Sequence, residues 1–123
     1  MNTKSNKIIY WVLTALIALV LTASAMGKLM GGAQAAEMAK GVGGLANLKI
    51  LGILELTIVA LWLFPKTGVV GALLAIAYMG GAIAVHFTSN QPVLIPVIIQ
   101  IVIWLVAAYR FPELIKRLLG KEQ

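Results

Sequence analysis

The stretch Leu45–Phe64, LANLKILGILELTIVALWLF, decides how the chain is read. Twenty residues at about 1.5 Å each make a helix of roughly 30 Å, the thickness of the hydrocarbon core of a bilayer. The stretch is apolar enough to cross one, yet it carries Glu55 near its middle. A charge at that depth costs at least ~2.5–3.5 kcal/mol on the insertion scale. Such a carboxylate needs partners, and intramembrane ionisable groups mark function by default.

The composition agrees with a membrane setting. Of the 123 residues 61% are hydrophobic, and the mean hydropathy is +0.98. Only 11% are charged, against about 25% in an ordinary soluble domain. The length suits a single domain over 1–123. The chain has no cysteine, which excludes disulfides, thiolate metal sites and thiol redox chemistry. No intrinsic cofactor or metal site is expected, and a redox role would borrow a quinone, a haem or a partner's cofactor.

Outward from the central stretch, hydropathy predicts four spans, at about 8–28, 45–64, 69–86 and 93–110. On the first, Thr14, Ile17, Leu21, Ser24 and Lys28 recur at spacings of three and four and share a helix face. Lys4 and Lys7 before an apolar run that ends in Ala23-Ser24-Ala25 also have the outline of a cleavable secretory signal. The apolar run is about 20 residues, longer than the usual ~7–15 of a signal core, and this favours a retained span. Residues 29–44 form the one long loop, in which AQAAEMAK between glycine pairs can make a short interfacial helix. Phe64-Pro65-Lys66-Thr67-Gly68 is a turn. The third span is dense in small residues, and Ala77 and Gly81 at four-residue spacing suit close helix approach. The fourth holds Pro96 in its first turn, where proline is tolerated, and Gln100 near its centre. The tail RFPELIKRLLGKEQ is basic and amphipathic, suited to lie along headgroups. Trp11 and Trp62 fall near span ends, as an aromatic belt requires.

The basic residues set an orientation. With both termini cytoplasmic, Lys4, Lys7, Lys66, Arg110, Lys116, Arg117 and Lys121 lie inside, against Lys28, Lys40 and Lys49 outside. That satisfies the positive-inside rule. The net charge of +6 is thereby assigned to topology and lipid headgroups, not to nucleic acid. The expected fold is an all-α membrane four-helix antiparallel bundle.

Counting about 1.5 Å per residue from each span's centre places Glu55 and Gln100 near the midplane. The same count puts Lys49 and Ser24 about 8–9 Å toward the outer face, His86 about 12 Å and Lys28 about 15 Å. The inner half is almost purely apolar apart from Thr14, Thr57 and Tyr78. A polar pocket open to the outer face is therefore expected, with Glu55 as floor, Lys28, Lys49 and His86 as rim, and Ser24 and Gln100 on its walls. Each residue has a plainer role open to it. Glu55 can be an ion-pair partner of Lys28 or Lys49, the lysines can snorkel, His86 can be interfacial, and Gln100 can tie helices together.

In order and spacing the chain resembles the DoxX-like family of small four-span membrane proteins. The pieces that carry the resemblance are Tyr10-Trp11 with Thr14, Ser24 with Lys28-Leu29, Gly52-Ile53-Leu54-Glu55-Leu56, the turn 64–68, Met79-Gly80-Gly81-Ala82 running to His86, and Arg110. Ala25 stands where the family often has glycine. The resemblance implies a multi-pass protein of a bacterial cytoplasmic (inner) membrane. It also implies one of several roles: a subunit of thiosulfate:quinone oxidoreductases, a partner in membrane oxidoreductase complexes, or, as in animal relatives, an assembly chaperone for receptors. The leading expectation is an accessory subunit of a quinone-linked oxidoreductase complex, with a protein partner and the bilayer as surroundings. The alternatives are a non-enzymatic scaffold and a small proton-coupled transporter. Self-association into a homo-oligomer stays open.

Overall fold

A computed structural model describes residues 3–121, and all of its regular structure is helical. Six α-helices follow in order: α1 Thr3–Leu29, α2 Ala33–Lys40, α3 Leu45–Leu63, α4 Gly68–Thr88, α5 Leu94–Arg110 and α6 Pro112–Leu118. Three regions, Thr3–Leu29, Leu45–Leu63 and Pro65–Thr88, are long and apolar enough to cross a membrane. The 17-residue α5 joins them if it is taken with α6, from which it is bent by 109°. The expected spans thus correspond to α1, α3, α4 and α5. The loop helix and the basic tail are the two short additions.

Local chemistry sets the boundaries. Phe64 takes an extended backbone because Pro65 follows it, so α3 ends there and a 3-10 turn, Pro65–Thr67, leads into α4. Pro96 is the third residue of α5, where its missing N–H costs no helical bond. Two glycine pairs with left-handed backbone, Gly31–Gly32 and Gly43–Gly44, set α2 off from both its neighbours. Outside the spans, the exposed Lys40 ammonium sits 2.7 Å from Glu37 on the same short helix, and this bond holds it above its ordinary pKa.

Neighbouring long helices run in opposite directions. Along α1 and α3, Thr14 meets Trp62 while Lys28 meets Glu55. Along α3 and α4, Glu55 meets Tyr78 while Trp62 lies against Gly71. Along α4 and α5, Ile76 meets Gln100 while Gly68 lies near Arg110. Tyr109 and Arg110 of α5 reach back to Asn6 and Tyr10 of α1 and close the ring.

The buried stripe of α1 is Thr14, Ile17, Ala18, Leu21 and Ala25; it keeps Thr14, Ile17 and Leu21 of the expected face, while Ser24 is exposed and Lys28 partly exposed beside it. It packs on Ile58, Val59 and Trp62 of α3, Ala72, Ala75 and Met79 of α4, and Ile103, Val106 and Ala107 of α5. Ile8, Val12, Leu19, Ile50, Ile53, Leu73, Ile95, Ile101 and Leu105 point outward. A surface of that kind suits acyl chains, and in water it would be an aggregation hazard.

Close helix approach occurs, but at other residues than expected. A Cβ on Gly71 would collide with the backbone of Trp62, and one on Gly52 would lie 2.9 Å from the Leu29 side chain. Ala77 and Gly81 are exposed instead, and a Cβ on Gly81 would meet nothing within 4 Å. Sequence spacing identified a small-residue face on α4. It could not say which small-residue face turns toward the neighbouring helix. Ala25 is fully buried, and its carbonyl would lie 3.3 Å from a Cβ on Gly52. The absent side chain of Gly52 makes room for the Ala25 carbonyl and the Leu29 side chain of α1.

A candidate polar centre at Glu55

Glu55 is 1% exposed, and three donors from two neighbouring helices converge on its Oε1. Lys28 Nζ of α1 lies at 2.9 Å and forms the ion pair. The Ser24 hydroxyl donates from 3.2 Å, one helical turn before Lys28 on the same face. The Tyr78 hydroxyl of α4 donates from 3.2 Å. Lys28 also donates to Ser24 Oγ at 2.6 Å, so lysine, serine and carboxylate form a closed triangle. The ammonium lies 5.8 Å from the centre of the Tyr78 ring, within cation–π range. No hydrogen bond reaches Oε2 from the described residues.

The electrostatics follow from burial. A buried charge is tolerable only when paired and hydrogen-bonded, and Glu55 has both on one oxygen. The centre is also asymmetric. The Lys28 side chain keeps 15% exposure and Ser24 is exposed, whereas the carboxylate is sealed inside. A chain of exchangeable protons therefore runs from the surface of α1 to the interior of the bundle. Chemically the arrangement can hold or pass a proton, and the Lys28 ammonium, with two of its three protons given to Glu55 and Ser24, can donate the third to a carbonyl oxygen.

Of the six residues expected at the site, Glu55, Lys28 and Ser24 come together. Gln100 does not reach Glu55. Its Nε2 donates to the Ile76 carbonyl at 2.9 Å and ties α5 to α4, while its buried Oε1 has no partner among the described residues. His86 shares a 2.7 Å hydrogen bond with the carbonyl of Ala82 on its own helix. Lys49 is exposed on α3 and has no bond to Glu55. Depth along a helix is readable from sequence, but azimuth is not, and azimuth separates these three from the centre. Tyr78 is the functional candidate that depth reasoning missed, because it was counted with the inner half. Its position 23 residues after Glu55, across one tight turn, is the signal that could have found it.

The end of the bundle where α1 begins and α5 ends holds a second polar centre, where an almost purely apolar half was expected. Arg110 is 5% exposed and lies among three rings, with its guanidinium carbon 4.9 Å from the centre of Tyr10, 4.4 Å from Trp62 and 4.7 Å from Phe111. Its Nη1 donates to the Trp62 carbonyl at 2.9 Å. The indole N–H of Trp62 donates to the Thr14 carbonyl at 2.9 Å, and the Thr14 hydroxyl to the Tyr10 carbonyl at 2.6 Å. Arg110 is thus a helix clamp and not a headgroup charge, and the fully buried Trp62 is not a belt residue. Trp11 is 41% exposed.

No curated protein and no solved structure matches the chain. The family comparison does match, over residues 12–109, a region that contains Ser24, Lys28, Glu55 and Tyr78 and all but the ends of the four long helices. The chain belongs to the DoxX-like family of membrane proteins.

Proposed function

We propose that this protein is an accessory subunit of a quinone-linked oxidoreductase complex, in which the Glu55 centre binds the quinone head and exchanges protons with it. The four long helices form an antiparallel bundle in the cytoplasmic membrane of a bacterium, with both termini cytoplasmic and the Glu55 centre in the outer half. The observation that carries the reading is the convergence of Lys28, Ser24 and Tyr78 on a carboxylate sealed inside a membrane domain, with Lys28 still partly exposed. The donor set fits the group. A quinone presents two carbonyl acceptors; the third proton of the Lys28 ammonium would serve one, and the Tyr78 hydroxyl would serve it by exchanging its bond to Glu55 for one to the quinone. When bound, the quinone would supply the two-electron chemistry. The chain's own residues would orient it and hold a proton at Glu55.

The test is a titration of a short-chain quinone into the purified protein, read by tryptophan fluorescence, with Tyr78→Phe alongside the wild type. Tyr78→Phe keeps the ion pair and removes one donor, so it should fold and bind at least fivefold more weakly. Saturable binding unchanged by Tyr78→Phe removes the centre from the proposal.

A second reading is a non-enzymatic scaffold. It is favoured by the full satisfaction of Oε1 and by the way Gln100 and Arg110 tie helices together without reaching the centre. On that reading Glu55–Lys28 is a structural pair, and a protein partner co-purifies whether or not Tyr78 is intact. A small proton-coupled transporter is the remaining reading, and substrate counterflow in proteoliposomes is its test.

A further inference from the structure

Two grooves lie side by side along α1, at the opposite end of the bundle from Lys28. The first, of about 610 Å³, is walled by Thr3, Asn6 and Lys7 of α1, by the Tyr10–Trp11 pair and by Tyr109 of α5. The second, of about 670 Å³, shares Lys7 and Trp11 with it and runs down α1 past Ile8 and Val12 to Ala15, with Lys4 at its head. We infer that the two together form a binding site for one anionic phospholipid, its phosphate at Lys7 and one acyl chain along Ile8, Val12 and Ala15.

Three observations carry this. The first is chemical order. Hydroxyl, amide and ammonium donors sit at the mouth, from Thr3, Asn6 and Lys7, and the walls below are apolar. The Lys7 ammonium has no hydrogen bond or ion pair among the described residues, and the Asn6 side chain uses only its oxygen, as acceptor from the Tyr109 hydroxyl at 3.3 Å. The second is length. From Lys4 to Ala15 is eleven helical steps, about 16 Å, which matches half of the roughly 30 Å hydrocarbon core, the depth of one leaflet. The third is charge. This end of the bundle carries Lys4, Lys7, Lys66, Arg110, Lys116, Arg117 and Lys121, and Glu113 is its one carboxylate among the described residues. Arg110 is shut in its aromatic cage, so Lys7 is the cation that both grooves share. Trp11, with its ring at the junction, is placed to pack on the glycerol region as interfacial tryptophans do. The inference rests on the chain's spanning a membrane and is independent of any role for Glu55.

Native mass spectrometry of the delipidated full chain tests it, with phosphatidylglycerol and phosphatidylcholine of identical acyl chains added in turn. Wild type should retain one phosphatidylglycerol at least fivefold more strongly than phosphatidylcholine. Lys7→Gln should lower phosphatidylglycerol retention about fivefold, the worth of one lysine at an anionic surface. Lys66→Gln, at the same end but outside both grooves, should leave it unchanged. Ala15→Trp fills the lower groove at an exposed position without touching a charge, and should lower retention of both lipids. Equal retention of the two lipids by wild type overturns the inference. So does an equal loss in Lys66→Gln and Lys7→Gln, or full retention in Ala15→Trp.

Discussion

Breaking the Lys28–Glu55 pair should cost far more than replacing it. At 2.9 Å and an effective dielectric near 20, the gross attraction is roughly 6 kcal/mol. Much of this is offset by desolvation of the two ions. Removing one partner still leaves a carboxylate that is 1% exposed with only the Ser24 and Tyr78 hydroxyls as donors. Loss of one partner of a buried pair typically costs about 3–5 kcal/mol. The 15% exposure of the Lys28 side chain lets solvent screen part of the loss, so about 3 kcal/mol is expected for Lys28→Met. Glu55→Leu leaves an ammonium that can turn to the interface, and should cost less, about 1–2 kcal/mol. The double variant Lys28→Met with Glu55→Leu removes both charges and should lie within about 1 kcal/mol of wild type. The assay is equilibrium unfolding in mixed micelles by titration with a denaturing detergent, followed by tryptophan fluorescence. The cycle should return a coupling energy of about 3–6 kcal/mol. A coupling below about 0.5 kcal/mol, the limit for independent sites, would refute the placement of a stabilising pair at this position.

Other outcomes follow from the same geometry. Gly71→Ala drives a methyl into the backbone of Trp62, which cannot rotate away, and should destabilise by about 3 kcal/mol or more in the same unfolding assay. Arg110→Lys should fail to restore what Arg110→Ala loses, because a lysine cannot fill the space between three rings while donating to the Trp62 carbonyl. Recovery above half would show that charge alone matters there. The chain lacks cysteine, so single cysteines report topology on a clean background. In intact cells Lys40→Cys should react with a membrane-impermeant maleimide and Lys116→Cys should not. The reverse pattern would invert the proposed orientation.

What the sequence could disclose follows its one-dimensional signals. Hydropathy located the four long helices to within a few residues, because apolar runs and Pro65 or Gly31 punctuation are local properties. The pairing of Ser24 and Lys28 was readable from their four-residue spacing, whereas the Lys28–Glu55 bridge was one of two lysine pairings left open, and depth counting set Lys28 about 15 Å from the level of Glu55. The rim positions of Lys49 and His86 were not, because depth fixes height in the bundle and says nothing of the direction a side chain faces. The Arg110 cage lay further out of reach. It joins Tyr10, Trp62, Arg110 and Phe111, contacts up to 100 residues apart that exist only once helix neighbours are known. Charge counting assigned Arg110 to the headgroups, and its burial overrules that assignment. The face of α4 that holds Gly71 was likewise hidden, because α4 has small residues on two faces and only packing selects between them.

The central claim, that the Glu55 centre serves a quinone in a membrane complex, is tested most directly by co-purification. Wild type and Tyr78→Phe would be isolated in parallel from native membranes in mild detergent, and every bound small molecule and protein identified by mass spectrometry. The account predicts a quinone and an oxidoreductase subunit with wild type, and loss of the quinone, with the subunit retained, in Tyr78→Phe. A protein partner without any quinone, unchanged by the substitution, would contradict it and leave Glu55–Lys28 as a structural ion pair.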